Sequence, residues 1–194
     1  MENSKEIVKA EKIADNLIKG SNINYAAIIG ARNSIQWTYE SHEKVLMANP
    51  PSNWVKLQPY AKTNYLPIEK VELLLKVLFK RHRIEILREG QTFNGIYMVV
   101  RVHYLHPVSD EWEFQDGTSG VQLQTKKGSS PADLVNINNG ALSMAFPSAK
   151  SYAIKDACEN IGNIFGANLN RKDVVTLENV MDAESHVKKI EDLV

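Results

Sequence analysis

Between His103 and Asp116 the chain gathers two imidazoles and four carboxylates: His103, His106, Asp110, Glu111, Glu113 and Asp116. Metal-assisted phosphodiester hydrolysis needs carboxylates that converge on one or two cations, so a metal-dependent nuclease is the enzymatic chemistry this stretch would serve. Strand alternation puts Glu111 and Glu113 on one face, but the other acids fall at turn positions. No lysine at a flanking spacing completes a nuclease pattern, and a solvated hairpin edge accounts for the cluster better. His103 and His106 form an H-x-x-H pair with no third ligand close in sequence, fewer ligands than a zinc site uses. The chain contains no G-x-x-x-x-G-K-[ST] sequence, which disfavours an ATP-driven recombinase. Its single cysteine, Cys158, excludes an intramolecular disulfide framework and a multi-cysteine zinc site, and reads as a buried thiol on a helix.

Positive charge offers a different chemistry, the neutralisation of phosphates. The 194 residues carry 23 Lys and Arg against 23 Asp and Glu, but the signs are unevenly spread. From Lys56 to Arg101 there are nine Lys or Arg against only Glu69, Glu72, Glu85 and Glu89, which permits an anionic partner for the middle of the chain. A hydrophobic content of 43% is enough for one sizeable core. No run approaches the ~18 apolar residues of a membrane span. Met1 to Lys19 lacks a signal-peptide core, so an intracellular, cytoplasmic protein without membrane partners is expected.

The elements that must position these residues follow from periodicity. Lys5 to Lys19 and Gln36 to Met47 read as helices, the second stopped by Asn49, Pro50 and Pro51. The segment from Trp54 to Pro67 is irregular, aromatic and basic, which suits a loop that meets a polyanion or one whose Trp54, Tyr60 and Tyr65 pack on the core, and packing is the favoured expectation. Pro67 opens an amphipathic helix whose buried face is Ile68, Val71, Leu74, Leu75, Leu78 and Phe79. A short strand at Ile84–Leu87 ends at Glu89 and Gly90. Ile96–Tyr104 is the clearest strand, with Ile96, Met98, Val100, Val102 and Tyr104 on one face and Tyr97, Val99, Arg101 and His103 on the other. Glu111 to Asp116 continues an antiparallel meander broken by Gly117 and Gly120, and Val121 to Thr125 forms a further strand with Leu123 inward. A basic, flexible segment, Lys126, Lys127, Gly128, Ser129 and Ser130, leads to a closing helix. There Pro147 sits in the first turn, Ser148 caps, and Ala153, Ala157, Ile161 and Phe165 form the apolar stripe. Ala153 and Ala157 let a sheet pack close, Gly162 within the helix marks a tight contact, and Gly166 is the left-handed cap.

The fold expected is therefore α+β, an antiparallel β-meander packed against a long helix, with helical N- and C-terminal extensions. Residues 1–50 form an N-terminal helical layer, 51–172 the core and 173–194 a C-terminal helix, in which Leu177, Val180, Met181, Val187, Ile190 and Val194 trace a narrow stripe suited equally to a neighbouring subunit or to covering the core.

From about Leu66 to Arg171, the order of amphipathic helix, meander, Gly-containing loop and closing helix resembles the annealing core of the Rad-fifty-two family of single-strand annealing proteins, including its phage-type members. The most specific part is Ala149 to Leu169, where the alanines, Lys150, Asp156 and the Phe165, Gly166 pair fall at the family's spacing. The resemblance implies a β-β-β-α core, ring or helical oligomers, and ATP-independent pairing of complementary single strands without a cofactor or a bond-making site. Lys70 and Lys150 fall at basic positions of the family's single-strand groove. Where eukaryotic members are strongly basic in the closing helix, this chain has Glu159, Asn160 and Asn163, so Lys155, Arg101, Lys126 and Lys127 are expected to supply more of the neutralisation. Arg101 and His103, with Tyr97 for stacking, suit one wall. The partners implied are single-stranded DNA, its complement, further copies of the chain, and a single-strand-binding protein or exonuclease. The alternatives are the nuclease and a non-catalytic assembly protein whose basic residues are only solubilising.

Overall fold

A computed structural model describes residues 29–30, 37–59 and 61–172. The expected helices over Lys5–Lys19 and 173–194, and the side chain of Tyr60, lie outside the described residues. In chain order the elements are helix α1 (Tyr39–Met47), a two-stranded hairpin β1 (Lys56–Leu57) and β2 (Asn64–Tyr65), helix α2 (Ile68–Leu78), strands β3 (His82–Thr92), β4 (Gly95–Leu105) and β5 (Trp112–Gln122), and helix α3 (Ala141–Glu159). The architecture is α+β: β3, β4 and β5 form an antiparallel meander in that order, and α3 packs across it.

β4 is the centre of the sheet because its sequence alternates without error. Ile96, Met98, Val100, Val102 and Tyr104 are all buried, and the residues between them are half-buried on the opposite face. β3 joins it through a two-residue turn at Phe93 and Asn94 and is longer than its apolar centre implies, because a bulge at Leu87 lets it run on through Glu89 and Gly90. At Gly90 the Tyr97 ring of the neighbouring strand occupies the space a side chain would need.

β5 also departs from expectation. Gly117 and Gly120 were expected to break it, yet the strand runs unbroken from Trp112 to Gln122. Gly117 is where the sheet meets α3: a Cβ there would collide with the backbone of Ala153 and Ala157. The glycine is a packing residue and not a stop signal. The expected strand at Val121–Thr125 is the end of β5 followed by one isolated bridge, Thr125 to Ile137, although Leu123 does point inward and is buried.

α3 starts six residues before Pro147, at Ala141, after Gly140 in the left-handed region (φ 78°). Its buried face is Ala141, Ala145, Ala149, Ala153 and Ala157, a small residue every fourth position, with Ile154 and Cys158 beside them. That stripe against the sheet outweighs the ~3 kcal/mol a proline costs inside a helix. Pro147 itself is exposed, as is Ser143, whose carbonyl is the one that loses the N–H of residue 147 as a helical partner. Ser148 is not a cap; its hydroxyl donates to the Met144 carbonyl at 2.9 Å. Burial of Cys158 pushes its thiol well above the ordinary value.

α3 ends at Glu159, so Gly162 lies beyond it in extended backbone, and the tight contact expected there is with the Leu46 carbonyl of α1. Gly166 is left-handed (φ 107°) but closes the short turn Asn163–Phe165, not α3. α2 buries Val71, Leu74, Leu75, Val77 and Leu78, and Phe79 follows as its C-terminal cap. Among the described residues no helix is long and apolar enough to cross a membrane.

Candidate functional site

β5 is an edge strand, and its free edge is closed by α3. The Thr118 amide donates to the Asp156 carboxylate at 2.9 Å, and the Ser119 hydroxyl donates to the Ala149 carbonyl at 2.6 Å. The β1–β2 hairpin stands on the other side of α3. Reciprocal bonds hold it, since the Asn64 amide donates to the Asn170 side-chain oxygen and the Asn170 side-chain nitrogen donates back to the Asn64 carbonyl, each at 2.8 Å. Between the hairpin, the β5 edge and α3 lies a groove of about 550 Å³. Thr118, Ser119 and Gly120 form its sheet wall, Gln58 and Tyr65 its hairpin wall, and Tyr152, Lys155, Asp156 and Glu159 its helical floor.

The floor residues recur at i, i+3, i+4 and i+7, which places them on one helical face. Lys155 is half-buried between two aromatic rings: its Nζ is 4.9 Å from the centroid of Tyr65 and 5.6 Å from that of Tyr152. Both geometries are cation–π contacts. Burial lowers the Lys155 ammonium from its ordinary value, while Glu159 and Glu69 pull it back up. Burial also raises the Glu159 carboxyl, with Asp156 adding to the shift and Lys155 and Arg171 opposing it. The groove thus combines a desolvated cation, two tyrosine faces and a carboxyl that gains a proton more readily than usual.

No protein-family model and no curated protein matches the chain.

Of the six basic residues singled out in the sequence, Lys155 alone lines this groove. Lys70 is half-buried on α2, with its ammonium 4.9 Å from the centroid of the Trp54 ring. Lys150 is exposed on α3, but five residues from Lys155 is about 140° around a helix of 3.6 residues per turn, so the two face different directions. Lys126 and Lys127 are exposed in the β5–α3 connection, where the Lys126 amide donates to the Asn136 carbonyl. Arg101 sits on the sheet face opposite α3. It is held by both Asp116 oxygens (2.6 and 2.7 Å), and its guanidinium lies 3.9 Å from the centroid of the Phe114 ring. That pair raises Arg101 and lowers Asp116 from their ordinary values. One copy of the chain therefore displays these cations on several faces.

The acidic cluster disperses. Asp110 pairs with Lys80 at 2.7 Å, Asp116 with Arg101, and Glu113 lies opposite Tyr104 across the β4–β5 pairing. His103 binds Glu85 at 2.8 Å, which lowers that carboxyl, whereas His106 turns into the core and accepts the Val108 and Ser109 amides at its Nδ1. Among the described residues no group of three or more His, Cys, Asp or Glu is placed to hold a metal ion. The asparagines of the closing segment are structural: Asn160 caps α3 and reaches the Asp116 carbonyl at 3.5 Å, and Asn163 donates to the Met47 carbonyl at 3.2 Å.

Sequence reasoning overlooked Tyr152, placed Glu159 at the groove only as a departure from the family's basic pattern, and set Tyr65 by preference on the core, whereas Tyr65 is exposed and lines the groove. The helical spacing of Tyr152 to Lys155 and Glu159 was the available signal; for Tyr65 it was the aromatic, basic character of its segment, although only the fold brings the hairpin to α3.

Proposed function

We propose that this chain is a single-stranded DNA-binding protein that anneals complementary strands without ATP, acting in homologous recombination or repair as a ring or helical oligomer. The observation that carries this reading is Lys155 set between Tyr65 and Tyr152 in an open groove. A cation supplies phosphate attraction, and aromatic faces supply sequence-tolerant stacking, the two terms on which single-strand binding depends. The succession of α2, a three-stranded meander and α3 also supports it, being the arrangement the family resemblance implies.

Annealing needs no bond-making residue. Pairing is downhill once two backbones are brought together with their bases free, so a protein has only to screen phosphates and keep bases accessible. Lys70, Arg101, Lys126, Lys127 and Lys150 lie on different faces of one subunit, and a single groove with one lysine binds weakly. Repetition in an oligomer converts such weak contacts into a continuous track by multivalency. The partners are then a DNA single strand, its complement, further copies of the chain, and a single-strand-binding protein or exonuclease that presents the strand, all inside the cell.

Fluorescence anisotropy with a labelled oligonucleotide tests this. Lys155→Glu, and separately Lys70→Glu with Lys150→Glu, are expected to weaken binding while leaving assembly intact by light scattering. Unchanged affinity in both would remove the groove from consideration, and cleavage of the oligonucleotide on addition of Mg²⁺ or Mn²⁺ would favour a nuclease instead.

A further inference from the structure

α1 is docked on the core by a histidine whose ring nitrogens, among the described residues, are unpartnered. That residue, His42, is fully buried. Its ring stands edge-on to Phe79 (5.5 Å between centroids), to His106 (4.9 Å) and, less closely, to Trp37 (6.2 Å). Tyr39 and Glu43 from α1, Tyr104 from β4, His106 from the β4–β5 turn and Glu113 from β5 line the adjoining cavity of about 220 Å³. Neither carboxylate reaches the His42 ring, so an imidazolium there would be a buried charge without a counter-ion, beside a second histidine.

We propose that α1 is an acid-released clasp: protonation of His42 drives Tyr39–Met47 off the core while the sheet and α3 stay folded. Among the described residues, what holds α1 is Val45, Leu46, the buried Ser41, the His42 ring, the Tyr39 ring stacked on His106 at 4.9 Å, the Leu46 carbonyl against Gly162 and the Met47 carbonyl accepting from Asn163, with Trp37 buried just before the helix. A nine-residue helix is shorter than the ~12–15 residues at which isolated helices become even marginal, so α1 melts once released. A short element anchored in this way opens below the global unfolding free energy. Burial, and then His106, hold the His42 imidazole down at about 3 from 6.5, so between these values the released state binds a proton that the docked state does not. The inference is independent of what occupies the groove.

Hydrogen exchange on the full chain from pH 7.5 to 4.5, corrected for intrinsic rates, tests it. The open population of the Ser41–Met47 amides is expected to rise about tenfold per pH unit below the unfolded histidine value, while Val100 and Val102 in β4 remain protected. His42→Phe keeps the aromatic packing without the nitrogens and is expected to abolish the acid dependence of α1. Exchange of α1 and β4 at one common opening population at every pH would overturn the proposal, as would an acid-labile α1 in His42→Phe. Should that variant not fold, NMR of the unaltered chain decides. A His42 ring that titrates together with the loss of α1 protection supports the clasp, and one that titrates while α1 stays protected contradicts it.

Discussion

Gly117 on β5 and Ala157 on α3 touch so closely that a methyl group on the glycine would overlap both the backbone nitrogen and the methyl of the alanine. This contact sets the distance between sheet and helix, and through it the position of the groove floor. Gly117→Ala is therefore expected to cost about 1–3 kcal/mol by overpacking, read from urea unfolding. Gly120, three residues along the same strand, has nothing within 4 Å of a built Cβ, so Gly120→Ala should change stability by less than about 0.5 kcal/mol. Equal effects at the two positions would contradict the packing.

The groove makes a graded prediction about binding. Tyr65→Ala and Tyr152→Ala should each weaken single-strand affinity by about 1–3 kcal/mol if they stack bases. Lys155→Ala should reduce the slope of log affinity against log salt by about 0.7, one phosphate contact on a single strand. Arg101→Ala should change affinity least, because Asp116 already occupies that guanidinium. An Arg101 effect larger than that of Lys155 would move the strand to the opposite face of the sheet.

Much of this arrangement was legible before the structure, and the exceptions share a cause. β4 and α2 follow from strict periodicity because each has one face in the core, and local pattern then equals local structure. β5 and the start of α3 were misread at Gly117 and Pro147, residues whose local preference is to interrupt. Tertiary contact decided both: Gly117 is required by the helix above it, and the alanine stripe carries α3 back past Pro147 to Ala141. Site residues divide the same way. Lys155 and Tyr152 share a helical face and could be grouped from spacing, but the pairing of Arg101 with Asp116 depends on strand register, and the approach of Tyr65 depends on the hairpin.

Acid should strengthen binding through Glu159. Its carboxyl is raised by burial and by Asp156, so as pH falls it gains its proton earlier than an ordinary glutamate and the groove loses a negative charge beside Lys155. Affinity for an anionic strand is then expected to rise as pH falls through the raised value, above the ordinary 4.5. Glu159→Gln should bind more tightly near neutral pH and show a flatter pH profile in the same anisotropy assay. A variant whose pH profile overlays that of the unaltered chain would show that Glu159 does not face the bound strand.

The most direct test is the rate at which two complementary oligonucleotides pair, followed by fluorescence quenching in EDTA without nucleotide, with and without the protein. The proposed function predicts faster pairing with the protein present, and loss of most of that acceleration in Lys155→Glu. Pairing at the spontaneous rate, from a protein that remains monomeric and ignores single strands even at low salt, would contradict it.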